Sequence, residues 1–265
     1  MPDCGRILRV PAALLRISLA TAMQYRSDFI FEGLTGVVRT GATVAALLLV
    51  YLHRQEVAGW TLPEALLVMA FFLVMSSVVQ AFFEPNLGAV VEQIRQGTLD
   101  LLLMKPADAQ LLVSASRMAP ARLWDALAGI GLGAWCLWHL PTRPGADDVL
   151  VALALFACGM VAMYGLWILA ICTSFKFVRV DNLRFLLMSV SDAGRWPLAI
   201  FSGWVRVLLV IVVPVGVVTS FPAMALRGAW TVHLVLAAAG AALLFAVGSR
   251  LAWKRSLASY TSASS

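Results

Sequence analysis

Six apolar runs decide what this chain can become: residues 34–52, 65–83, 123–140, 149–173, 198–221 and 230–251. At 1.5 Å rise per residue each approaches or exceeds the ~30 Å hydrocarbon core of a bilayer. No water is available there to satisfy an open backbone, so such runs cross as helices. Composition agrees, with 61% of residues hydrophobic and 13% charged, against about 25% charged in soluble domains. The expected fold is an all-α integral membrane protein. A single domain over 1–265 would hold six transmembrane helices.

Charge gives the expected orientation. With the N-terminus in the cytoplasm, all but Arg54, Arg143 and Arg227 of the 20 Lys and Arg residues fall on the inner side. Basic residues collect in cytoplasmic loops, so both termini are expected there. The net charge of +6 then needs no nucleic acid to explain it, since no basic face interleaved with stacking aromatics is present.

Residues 6–31 read as an amphipathic helix on the membrane surface. Leu8, Leu15 and Leu19 share one face and Arg6, Arg9 and Arg16 the other. Arg16 interrupts the apolar stretch too early for a cleaved leader, so this segment is expected in the mature protein. Thr61 and Pro63 are placed to start a helix, Thr61 as its cap. Gly129 and Gly133, four apart in the third run, allow close helix approach. Residues 183–195 read as an interfacial helix, and Pro214 breaks the fifth run.

Catalytic signatures are missing. There is no Gly-x-x-x-x-Gly-Lys-Ser/Thr loop, His-Glu-x-x-His, Cys-x-x-Cys or Gly-x-Ser-x-Gly. The chain is therefore expected not to be an enzyme. Cys4, Cys136, Cys158 and Cys172 lack metal-ligand spacing, and His53, His139 and His233 fall near outer membrane edges. Asp125 and Arg206 are the candidate functional charges inside the membrane, because ionisable groups there are costly.

The polar segment 84–122 separates the second and third runs. Leu87, Val90, Val91 and Ile94 follow i, i+3, i+4, i+7 spacing, with Glu92 and Arg95 off that stripe. Gly97 falls where a left-handed residue would stop the helix. Thr98 to Met104 is apolar except for Asp100, and Lys105-Pro106 ends it. The pattern predicts a helix–break–helix unit on the cytoplasmic face.

Within that unit, Ile94, Gly97, Leu99, Asp100, Leu103, Lys105 and Pro106 resemble the I-x-x-G-x-L-D-x-x-L-x-K-P stretch of ABC-2-type transporter permeases. The bacterial six-span branch, paired with a second permease and a separate ATPase, is the nearer likeness. Tyr25-Arg26-Ser27-Asp28-Phe29, Gly59-Trp60-Thr61-Leu62-Pro63-Glu64, Trp196-Pro197 and Pro214 with Phe221-Pro222-Ala223 fit the same branch in the same order. At Trp196-Pro197 the family commonly has Tyr-Pro.

The resemblance implies a permease subunit of an exporter in the bacterial inner membrane. Its pathway would form against a second permease, in a homo- or heterodimer. ATP and magnesium would bind a partner ATPase dimer and not this chain. A coupling helix over about 86–96, with contact residues Leu87, Val90, Val91, Glu92, Ile94 and Arg95, would meet that ATPase. Residues 97–106 would brace it against membrane lipid, and 6–31 would be the connecting helix. The apolar spans suit a hydrophobic, amphiphilic cargo. Two alternatives stand beside this one: an ion-coupled secondary transporter relying on Asp125 or Arg206, and a membrane scaffold.

Overall fold

A computed structural model of the chain describes residue 20 and residues 26–104, 108–175 and 181–259. Most of the surface helix expected over 6–31 lies outside them, as do Lys105 and Pro106. Helix α1 (Arg26–Tyr51) leads to a two-residue hairpin, β1 (Glu56–Val57) with β2 (Trp60–Thr61). Ala58 and Gly59 turn that hairpin with positive φ. Helix α2 (Leu62–Val78) passes through a π-helical turn (Val79–Phe83) into α3 (Glu84–Arg95). Two short helices, α4 (Leu99–Leu103) and α5 (Ala109–Ser114), return the chain to α6 (Leu123–His139). Then come α7 (Ala146–Ser174), α8 (Asp181–Ser191), α9 (Gly203–Val207), α10 (Val215–Leu226) and α11 (Val232–Ala258).

Among the described residues, four helices are long and apolar enough to cross a bilayer: Phe29–Tyr51, Leu62–Arg95, Ala146–Ser174 and Val232–Ala258. Helix α6, the expected third span, has 17 residues, the lower limit for crossing. The fifth run is broken at Pro214, as its sequence indicates, and is interrupted earlier as well. Over 198–212 it forms a short 3-10 turn (Leu198–Ile200), α9 and a π-helical turn (Leu208–Val212), and a bend of 96° precedes α10. Pro214 sits in that bend, where its ring and missing N–H stop a helix from continuing.

Helix α10 is the centre of the packing. It lies between α2 and α7, and Met224 is its only residue that is not buried. Glycines set how closely its neighbours approach. A Cβ at Gly159 of α7 would meet the Val218 backbone at 2.8 Å, and one at Gly165 would meet the Phe245 carbonyl oxygen of α11 at 2.6 Å. Gly129 does the same for α6 on α2, at 2.9 Å from the Ala70 carbonyl oxygen, while Gly133 makes only ordinary contact. The close approach expected of the pair thus rests on Gly129. Gly165→Ala should destabilise the detergent-purified protein by about 1–3 kcal/mol, because a backbone carbonyl cannot give way as a side chain can. Thermal unfolding measures it.

One end of the bundle carries the hairpin. Glu64 accepts from the Thr61 N–H at 2.8 Å, one arm of a capping box at the start of α2. Arg227 stacks over Trp60, its guanidinium carbon 4.8 Å from the ring centroid, and pairs with Glu64 at 3.3 Å. The Trp230 indole donates to Asp148 at 2.9 Å. The segment 84–122 lies at the opposite end. Its anchor points on the bundle are the site described next.

Candidate functional site

The path from Leu62 to Arg95 is unbroken for 34 residues, about 51 Å. That exceeds a ~30 Å core by some 20 Å, so α3 projects beyond the apolar layer. The separate amphipathic helix expected over 87–94 is therefore the end of the second apolar helix. Gly97 stops it as expected. Its φ is +67°, the Thr98 N–H reaches the Gln93 carbonyl at 3.0 Å, and the Gly97 N–H reaches Ile94 at 3.3 Å. That is a Schellman motif, open to glycine without a Cβ penalty.

The apolar stripe turns inward. Leu87 and Val90 are buried, and Val91 and Ile94 pack half-buried on the same core. Glu92 and Arg95 are exposed, with Gly88 between helix turns. Leu87 and Val90 thus hold α3 on its own chain, which corrects their expected place in a contact surface. Leu99 is buried, and Asp100 opens α4 in its first turn. Leu103 is half-buried, whereas Leu101 and Met104 are 63% and 74% exposed. The outermost surface of this end therefore runs from Glu92 and Arg95 over Gly97 to Leu101 and Met104.

The root of the projection is fastened by a polar network that sequence patterning missed. Pro85 has no N–H to give the Ala81 carbonyl, which accepts instead from the Ala119 N–H at 2.9 Å. Asn86 is 1% exposed. Its Nδ2 donates to the Ser114 carbonyl at 2.8 Å, to Arg117 at 3.0 Å, and to Phe82. Its Oδ1 accepts from the Arg117 N–H at 2.8 Å and the Ser116 hydroxyl at 2.7 Å. The Ser77 hydroxyl donates to the Arg122 carbonyl at 2.8 Å. Every polar atom of the Asn86 amide is used, the condition under which a buried polar group rigidifies. A Pro-Asn pair at the end of an apolar run was the available signal.

Further links reach the other helices. Ser114 and Gln110 hydrogen-bond the Tyr164 hydroxyl of α7, at 2.9 and 3.3 Å. Arg250 of α11 pairs with Asp108 and donates to Gln110 at 2.9 Å. Asp108 also caps α5, accepting from the N–H groups of Gln110 and Leu111. The Arg250 hydrogen bond, aided by those N–H groups, holds the Asp108 carboxyl below its ordinary value of 3.8. A depressed folded pKa stabilises above the unfolded value, and the contribution disappears as pH falls through the folded one. The difference in unfolding temperature between the wild type and Asp108→Asn should therefore be constant above about pH 5 and shrink in more acid solution. A pH series of thermal melts checks it.

The two charges singled out within the membrane do not meet. Asp125, 5% exposed, forms an ion pair with Arg39 of α1. A second pair, Arg122 with Glu32 at 2.9 Å, joins the same two regions. Asp125 thus has a structural partner, although its Oδ1 is buried without a hydrogen bond. Arg206 is exposed on α9 and has no ion pair among the described residues. Arg195, assigned to the inner side by the charge count, lies deeper than expected. Its guanidinium carbon is 5.5 Å from the Phe72 ring centroid, and Phe72 is about 15 Å along α2 from Leu62. Arg195 pairs with Asp192 at 3.0 Å, the two side chains 31% and 58% exposed.

Among the described residues no group of His, Cys, Asp or Glu could hold a metal. An apolar cavity of about 310 Å³ opens between α2, α6, α7 and the end of α10, lined by Leu67, Phe71, Gly129, Leu137, Leu153 and Leu226 among others.

The family model described as ABC-2 family transporter protein matches residues 37–264. The chain belongs to the ABC-2 transporter family. It is a membrane-embedded permease component of an ABC-type transporter. No curated protein and no solved structure matches it. Family membership covers the permease from within α1 to beyond α11, so the projecting segment and the broken fifth run both lie inside the matched region.

Proposed function

We propose that this permease is the membrane subunit of an ATP-driven exporter in a bacterial inner membrane, with both termini cytoplasmic. A separate ATPase dimer hydrolyses ATP, and a second permease, identical or related, completes the pathway. The segment 84–122 is the cytoplasmic coupling element. The observation that carries this is mechanical. The segment is tied to α2, α7 and α11 through Ser77, Tyr164 and Arg250, and its outgoing and returning arms are tied to each other through Asn86, yet its tip leaves Leu101 and Met104 exposed. A push on such a tip moves helices rather than deforming a loop.

The Asp192–Arg195 pair supports a pathway on the same chain. Charged groups at mid-depth avoid lipid and face protein or water-filled cavities. Both are partly exposed here, so that face belongs against a second permease or an aqueous path. The apolar cavity suits an amphiphilic cargo.

The purified permease should hydrolyse no ATP alone and should alter the hydrolysis rate of its partner ATPase when the two are mixed. Cargo movement that persists without any ATPase, and stops when the proton gradient is collapsed, would establish the ion-coupled alternative instead.

A further inference from the structure

A polar cleft of about 340 Å³ opens beside the root of the projecting segment. It is lined by Gln80, Glu84, Gly88, Arg117, Arg122 and Arg184, with Pro85, Ala89 and Ala119 completing the wall. Its depth is fixed by α2. Gln80 and Glu84 lie 18 and 22 residues past Leu62, about 27–33 Å along the axis. For a ~30 Å core that is the level where headgroup phosphates begin.

The charges in the cleft do not balance. Glu84 is paired with Arg184, and Arg122 is paired with Glu32 of α1. The Arg117 side chain has no hydrogen bond or ion pair among the described residues. Its backbone, by contrast, is held at both N–H and carbonyl by the Asn86 amide. One exposed guanidinium on an anchored backbone is thus left over, beside two others already placed. A singly charged phosphodiester matches that excess, and guanidinium forks suit phosphate oxygens.

Gly88 adds an independent observation. It lies inside α3, exposed, and a Cβ there would meet nothing within 4 Å. Glycine in a helix interior costs about 1 kcal/mol relative to alanine, and no packing requires it here. Its effect is to leave the cleft open. The surroundings are those of a lipid. Phe31 and Leu34 of α1 and Phe185 and Leu186 of α8, close in sequence to Glu32 and Arg184, are all more than half exposed, as surfaces that meet acyl chains would be.

We propose that the cleft binds the phosphate of an anionic phospholipid from the adjoining leaflet, with Arg117 as the principal ligand and Arg122 and Arg184 beside it. The bound headgroup would wedge between α3, the 115–119 loop and α8, at the root of the moving segment. The site exists in the permease alone, so its test is separate from the question of ATP drive.

Purified full-length permease is titrated with dioleoyl phosphatidylglycerol in mixed micelles and bound lipid is counted by native mass spectrometry. Dioleoyl phosphatidylcholine and inorganic phosphate serve as the other arms. One phosphatidylglycerol should be retained in preference to phosphatidylcholine. Arg117→Gln, which keeps the backbone bonds to Asn86, should weaken its retention about tenfold, the loss of one charged hydrogen-bonding partner. Gly88→Leu should do the same by filling the cleft, its Cβ entering space that holds no atom within 4 Å. Equal retention of the two lipids, or retention unchanged in both variants, overturns the proposal. Displacement by millimolar inorganic phosphate overturns the lipid assignment, because a soluble phosphoryl group would then be the occupant.

Discussion

Replacing Asn86 by alanine should lower the stability of the detergent-purified permease by about 3 kcal/mol, more than any exposed substitution in the 84–122 segment. The truncation strands the Ser114 and Arg117 carbonyls and the Arg117 N–H, which the amide now satisfies, and leaves the Ser116 hydroxyl only the Val113 carbonyl. Each buried polar group without a partner costs about 1–3 kcal/mol, and partial access of water to the 115–119 loop reduces the sum. Stability alone would show only that Asn86 is structural. The sharper expectation is that the segment loosens locally. Amide hydrogen exchange should rise across residues 114–122 in Asn86→Ala while α7 and α11 keep their protection. Unchanged exchange in that stretch would show that the segment is fixed by other means.

The second large effect concerns the tip. Leu101→Asp with Met104→Asp should reduce the permease's influence on its partner ATPase at least tenfold, about 1.4 kcal/mol or more of lost coupling, with thermal unfolding nearly unchanged. Both side chains are exposed in the isolated chain, and surface substitutions shift stability within about 0.5 kcal/mol. A protein–protein contact, in contrast, depends on apolar anchors near its centre. Charge reversal at Glu92 and Arg95 should have a smaller effect of the same kind, since rim charges govern approach more than residence. Full stimulation by the doubly substituted tip would place the ATPase contact elsewhere.

Much of this architecture could be read from residues one run at a time. The apolar runs marked the long helices, and Gly97 announced the end of α3, because a left-handed position after an amphipathic stretch has few other candidates. The facing of α3 was harder to read. Leu87, Val90, Val91 and Ile94 form a stripe whichever partner they meet, and periodicity cannot say whether that partner is another subunit or the chain itself. The unbroken passage from α2 into α3 was hidden by Glu84 and Pro85, which read as the end of a span. The π-helical turn just before them carries the helix on without a break, Glu84 and Pro85 form the first turn of α3, and the Ala81 carbonyl that Pro85 leaves unpaired is taken by Ala119.

The fifth run shows a different limit. Pro214 could be read as a break, but hydropathy over 198–221 is continuous and averages away the earlier interruptions at Pro197 and Gly203. Arg195 was placed with the inner basic residues because charge normally marks a boundary. Its contact with Phe72 depends on the chain folding back beside α2, a long-range event with no local trace. Asp125 stood out as an isolated acid in an apolar helix, and its partner Arg39 lies 86 residues away.

In the proposed complex the 84–122 end is the one that meets the ATPase. Photo-cross-linking decides it, with a photoactivatable residue placed at position 104 or, at the hairpin end, at position 54. In membranes containing the permease and its partner ATPase, position 104 should cross-link to the ATPase and position 54 should not. Cross-linking from position 54, with none from 104, would contradict both the orientation and the coupling role assigned to this segment.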